Sequence, residues 1–165
     1  MIDWNQCTRE RFIVLFGQIF EQSPWIAVAA EKKRPYQSAE ALFHEMTEIV
    51  YSANEARKLA LILAHPRLGS KKKMNDVSAG EQRQAGLLRL KDEESAELEI
   101  LNRAYEKKFG MPFIKAVRGL RKNEILAELN LRLQRSKDQE YDTAIKEIIK
   151  IAKFRFDDLL HSGIE

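Results

Sequence analysis

Apolar residues return at intervals of three and four along nearly the whole chain, the spacing that gathers them on one face of an α-helix. Phe12, Leu15, Phe16, Ile19 and Phe20 form the first series, and Thr8 stands ahead of them as an N-cap. Ser23-Pro24-Trp25 puts a capping residue before a proline at the first helical position. It predicts a short second helix ending before Arg34-Pro35, because proline disfavours helical geometry in the residue that precedes it. A third helix begins near Ser38 and carries Leu42, Met46, Ile49 and Val50. Ser52, with Glu55 three residues on, reads as a capping box for a fourth helix through Leu59, Ile62 and Leu63, stopping at Ala64-His65-Pro66.

The pattern lapses over residues 66–77, which hold Gly69, the Lys71-Lys72-Lys73 run and Asn75-Asp76 and read as a connecting loop. Ser78-Ala79-Gly80-Glu81 is a second capping box, with Leu87, Leu88 and Leu90 behind it and a break near Asp92. A longer helix then passes through Leu98, Leu101 and Tyr105 to Phe109, where Gly110 suits a left-handed cap and Pro112 stands just beyond. Phe113 to Val117 is a short apolar piece ending near Gly119. Asn123 is read as the cap of a helix through Leu126, Leu129 and Leu133, and a last helix runs from about Ser136 to Leu160.

Composition strengthens this picture. Ala, Leu, Glu, Lys and Arg make up about half of the 165 residues, while β-branched Val and Thr are scarce. The expected fold is all-α: a single-domain compact bundle of about eight or nine helices over residues 1–165, without internal repeats. A hydrophobic share of 44% and a net charge of +3 argue against disorder, and the mixing of both signs along the chain argues against nucleic acid as a partner. Apolar runs are too short to cross a bilayer, so no membrane partner is expected. Cys7 is the only cysteine, which excludes an intrachain disulfide. Together with the absence of a targeting segment in the sequence as read, this leads to a cytoplasmic expectation.

Candidate chemistry is sparse. No nucleophile elbow or phosphate-cradling glycine loop is present, and His44, His65 and His161 lack the spacing of metal ligands. His65 stands out because it follows an apolar helix end and precedes a proline that fixes the chain direction. Carbonyls at a helix C-terminus favour a cationic imidazole, so His65 suits a proton donor, although a histidine that merely caps its helix would look the same. Ser78, Glu81 and Gln82 are open to two readings as well. They satisfy backbone donors at a helix start, or they join those donors around a small ligand.

The motifs gain meaning together. Gln22-Ser23-Pro24-Trp25, Arg34-Pro35-Tyr36, Ala64-His65-Pro66 with Leu68-Gly69, Ser78-x-x-Glu81-Gln82 with Ala85-Gly86-Leu87, and Leu101-Asn102-x-x-Tyr105-x-x-Lys108-Phe109-Gly110-x-Pro112-Phe113-Ile114 occur in that order. With Arg132-Leu133, Glu140 and Arg155, they resemble the 2-oxo-4-hydroxy-4-carboxy-5-ureidoimidazoline (OHCU) decarboxylases over nearly the whole chain.

The resemblance implies an all-helical, homodimeric enzyme that converts this urate-derived ureidoimidazoline to (S)-allantoin and carbon dioxide, with no cofactor and no metal. It makes His65 the proton donor, and Glu81 is read as the second catalytic residue, accepting a hydrogen bond from the substrate hydroxyl or from His65. Substrate contacts then fall to Pro66, to Ser78, Ala79, Gly80, Glu81 and Gln82, to Phe113, Ile114, Lys115, Ala116 and Val117, and to Arg155. Two positions depart from the family pattern: Arg67 where an acidic residue commonly follows His-Pro, and Arg135 where an asparagine is common. Arg67 would add positive charge beside the proposed acid, which leaves room for a related decarboxylase with a shifted ureide substrate. A non-enzymatic helical interaction module would explain the helices but not the ordered motifs.

Overall fold

The computed structural model describes residues 1–69, 80–83 and 92–162. The expected cap at Ser78, Ala79, the lysine run and the leucines at 87, 88 and 90 lie outside these residues. The described residues form helices α1 (Arg9–Phe16), α2 (Trp25–Glu31), α3 (Ala39–Ser52), α4 (Glu55–Ala64), α5 (Asp92–Phe109), α6 (Lys122–Arg132) and α7 (Lys137–His161). Residues 80–83 are helical as well, and no strand occurs among the described residues. The fold is all-α, as its composition predicts. None of the described helices is long and apolar enough to cross a membrane.

Contacts group the chain into two compact units, one of residues 1–64 and 149–165 and the other of residues 65–148. In the first unit, α2 packs against both α1 and α3. Phe12, Phe16, Leu42 and Met46 are buried, and the rings of Phe16 and Phe43 lie 5.9 and 5.2 Å from Phe156. The segment ahead of α1 is tied down by polar contacts. Asn5 and Tyr36 exchange two hydrogen bonds of 2.8 Å, side-chain amide to main chain. The Arg34 guanidinium donates to the carbonyls of Trp4 and Cys7 and to Glu31. The Tyr36 hydroxyl donates to the Ala30 carbonyl, and burial, assisted by the Glu45 carboxylate, pushes that phenol up to about 12.

In the second unit α5 packs against α6. Tyr105, Phe109, Phe113, Ile125, Leu129 and Ile148 are buried there, with Tyr105 meeting Phe113 edge to face at 5.4 Å. Helix α5 ends as the sequence predicts, at Gly110 with φ +70°.

Several helix starts agree with the sequence reading. Thr8 and Ser38 accept from the main-chain N–H groups of Arg11 and Ala41, and Ser136 and Gln139 form a reciprocal capping box before α7. Four boundaries differ. Helix α1 stops at Phe16, so Ile19 and Phe20 are buried from the turn beyond it. The Ser23 hydroxyl donates back to the Glu21 carbonyl, and α2 begins after Pro24 without a side-chain cap. Ser52 is the last residue of α3, and the Asn54 side chain accepts from the Arg57 N–H at the start of α4. Asn123 lies inside α6, whose N-cap is Arg121.

Candidate active site

His65 follows the last residue of α4 and is 7% exposed, whereas His44 and His161 are exposed. Burial thus separates it from the other two histidines. Pro66 comes next and, by closing one backbone torsion, leaves little freedom between His65 and whatever holds residue 67.

Residue 67 is held firmly. The Arg67 Nε and Nη2 atoms donate to the two oxygens of Glu106 at 2.8 and 2.6 Å, and Nη1 donates to both oxygens of Glu99 at 3.0 and 2.9 Å. Hydrogen bonding to Glu106 raises the guanidinium pKa above its ordinary value against the opposing effect of burial, with Glu99 contributing further. Burial alone would raise the carboxyl of Glu99, but hydrogen bonds from Arg103 and Arg67 together hold it below the ordinary range. The expectation of added positive charge beside His65 is therefore modified, because two carboxylates engage Arg67. The next two residues are fixed as well. Asn102 Nδ2 donates to the Leu68 carbonyl at 3.0 Å, and Gln82 Oε1 accepts from the Gly69 N–H at 2.7 Å.

Of the second expected contact segment, Gly80, Glu81 and Gln82 are described, whereas Ser78 and Ala79 are not. The sequence offers Gln82 to a ligand. Its side chain, 3% exposed, spends its carbonyl oxygen on Gly69 and brings Nε2 to 3.5 Å from the Arg67 carbonyl, so it braces the loop after His65-Pro66.

Phe113, Ile114, Ala116 and Val117 are buried and Lys115 is half-buried, in a stretch that is not helical. Buried non-helical backbone needs partners from elsewhere. Charged side chains supply them. Arg132 Nη1 donates to the Ile114 carbonyl at 2.6 Å, and Glu147 accepts from the Ala116 N–H at 3.2 Å while its carboxylate lies 3.2 Å from Lys115 Nζ.

Arg132 is itself 1% exposed and stacks 4.5 Å above the Phe113 ring. Its Nε donates to Glu140, fully buried, at 2.7 Å, and the same carboxylate oxygen accepts from the Tyr105 hydroxyl at 2.6 Å. Burial first, and then that hydrogen bond, push the Tyr105 phenol far above its ordinary value. Arg135 Nη1 comes within 3.3 Å of the other Glu140 oxygen, in ionic contact without an aligned hydrogen bond. The two arginines that depart from the family pattern thus both have acidic partners.

Arg155 is placed in the first unit, on α7, where its Nη2 lies 3.0 Å from Glu21 Oε2, both side chains being buried. Glu21, Glu147 and the roles of Asn102 and Arg67 escape sequence reading, since their partners stand 31 to 134 residues away. Among the described residues, no group of three or more His, Cys, Asp or Glu side chains could hold a metal ion.

Residues 5–157 match the OHCU decarboxylase family along their length. The chain belongs to that family. An OHCU decarboxylase from Halalkalicoccus jeotgali is 36% identical over 157 residues, covering 95% of this chain and 89% of that one. The uric acid degradation bifunctional protein of a Bacillus species is 43% identical over 159 residues, and this chain spans about a third of its length, 32%. Among solved structures, an (S)-allantoin synthase superposes with a TM-score of 0.79 at 29% identity, over 95% of this chain and 52% of the other. A structure of OHCU decarboxylase determined with (S)-allantoin shares the fold, with a TM-score of 0.73 at 24% identity. Membership of the OHCU decarboxylase family leaves the non-enzymatic interaction module without support.

Proposed function

We propose that this chain decarboxylates OHCU to (S)-allantoin and carbon dioxide, the observation carrying the reading being a family match that spans every candidate residue from His65 to Arg155. The substrate carbon bears a carboxylate and a hydroxyl beside an unsaturated ring. When the carbon–carboxylate bond breaks, its electron pair moves into that ring, so the substrate serves as its own electron sink and no cofactor is called for. The hydroxyl-bearing carbon becomes the ring carbonyl as its hydroxyl proton is lost, and the adjacent ureido-bearing carbon is protonated on one face, which sets the S configuration. The protein's work is to orient the ring, stabilise developing charge and deliver that proton.

In this reading His65 assists proton transfer, and Glu81 accepts a hydrogen bond from the substrate hydroxyl or from His65. Gln82, whose side chain bonds the Gly69 N–H and reaches the Arg67 carbonyl, acts in this reading from beside the ligand, holding the loop after His65-Pro66 against its polar edge. Residues 113–117 provide an apolar wall and main-chain groups, and Arg155 attracts an anionic group of the ligand. The ion pairs of Arg67 supply no reason for a shifted substrate. The same reading makes the protein a cytoplasmic homodimer acting on a small molecule.

The test generates OHCU enzymatically from urate, adds this protein and follows the chirality of the allantoin. Spontaneous decay gives a racemate, so rapid accumulation of the S enantiomer is the expected result; racemic product at the uncatalysed rate from folded protein overturns the reading. His65→Asn should fold normally and lose about a hundredfold or more in turnover, the range for deleting a general acid or base, while His44→Asn and His161→Asn retain activity.

A further inference from the structure

We infer that Arg67 is a positioning residue, which aims His65 by clamping the segment after it onto one face of helix α5. The inference rests on the reading of His65 as proton donor and assigns it a mechanical support. Glu99, Asn102 and Glu106 are spaced three and four apart and fall within about 60° of arc at 100° per residue, so they form one stripe along the helix. That stripe grips consecutive residues: Glu99 and Glu106 take the Arg67 side chain, and Asn102 takes the Leu68 carbonyl. Gln82 closes the grip at the Gly69 N–H.

His65-Pro66 is then a two-residue bridge between α4, which ends at Ala64, and an anchored residue 67. Proline fixes one of the few torsions left in the bridge, so a displacement at residue 67 is passed on to the imidazole. The guanidinium suits the task because its planar fork meets Glu106 with two parallel hydrogen bonds and still reaches Glu99. A lysine, a point charge on a flexible stem, cannot reproduce that geometry.

The variants Arg67→Met, Arg67→Lys and Glu106→Gln, and the pair Arg67→Met with Glu106→Gln, are compared in steady-state formation of (S)-allantoin from OHCU. Lys122→Gln is the control, since it removes another ion pair of α5, with Glu94, that does not touch the segment. Rates are normalised to folded protein by circular dichroism, so a purely structural loss moves the melting temperature and not kcat. A misaimed proton donor lowers kcat at saturating substrate by about tenfold with KM nearly unchanged, within the range for small misplacements of a catalytic group. Arg67→Lys should recover only part of it. Because both residues act through one clamp, the double variant should be no slower than the slower single.

Parental kcat in folded Arg67→Met, or a loss no greater than that of Lys122→Gln, overturns the inference. Independent, multiplying losses in the double variant overturn it as well. If Arg67→Met does not fold, Glu99→Gln with Glu106→Gln opens the clamp from the helix side and is held to the same kcat criterion. Failure of the underlying reading looks different: the parent forms no excess of (S)-allantoin, or His65→Asn turns over normally.

Discussion

Arg132→Met should destabilise the fold by about 3–5 kcal/mol, the cost of leaving one member of a buried ion pair without the other. The change keeps most of the aliphatic stem and deletes the guanidinium. Glu140, with no exposed surface, then keeps the Tyr105 hydroxyl and the ionic contact of Arg135, whose side chain is 37% exposed and screened by water. The Ile114 carbonyl loses its donor at the same time. Removing more of the network should cost less. Arg132→Met combined with Glu140→Leu and Tyr105→Phe deletes both charges and the hydroxyl, leaving mainly that carbonyl unsatisfied, worth about 1–3 kcal/mol. Urea unfolding followed by far-ultraviolet circular dichroism, at one protein concentration for all variants, gives the comparison. A triple variant less stable than the single, or a single variant costing under about 1 kcal/mol, would refute the account of Arg132 as a buried cation that needs its partner.

Asn102→Asp keeps the side-chain shape but turns the donor facing the Leu68 carbonyl into an oxygen, and should cost about 1–3 kcal/mol in urea unfolding together with a fall in kcat. Asn54→Ala should cost about 1 kcal/mol as the loss of a helix N-cap while Ser52→Ala costs much less, a difference readable as a shift in urea midpoint. Glu99 is held below its ordinary value in the folded state, so the unfolded chain binds more protons in the interval between the two. Its contribution to stability is therefore fully present above the ordinary glutamate range and is lost as pH falls through the folded value. Glu99→Gln should flatten that acid-side slope, by a small amount because the side chain is 43% exposed, and unchanged slopes in urea titrations across acid pH would contradict the assignment.

Helix positions were legible in the sequence because each apolar stripe repeats with the helical period and most ends carry a local signal, as at Thr8, Ser38 and Gly110. One misassigned cap lies where two candidates stand close together. Ser52 and Asn54 can both accept from a nearby N–H, and the choice depends on whether residue 52 still belongs to the preceding helix, which its own side chain does not decide. At the candidate site, the sequence pointed to His65 but not to what holds the residues that follow it. Periodicity tells which face of α5 carries Glu99, Asn102 and Glu106. It is silent about the segment that lands there, more than thirty residues earlier in the chain. Arg67 illustrates the difference: its sequence neighbours suggest a free cation, whereas its spatial neighbours are carboxylates.

Chain ends are ordinarily where cutting and splicing are cheapest. The exchange between Asn5 and Tyr36 makes the first seven residues a poor place for either. The Asn5 carboxamide imitates a peptide unit, giving a hydrogen to the Tyr36 carbonyl and taking one from its N–H, as a neighbouring strand would. Deleting residues 1–7 strips those partners from the Tyr36 N–H and carbonyl and removes both main-chain acceptors of Arg34. Deleting these seven residues should loosen the turn that connects α2 to α3.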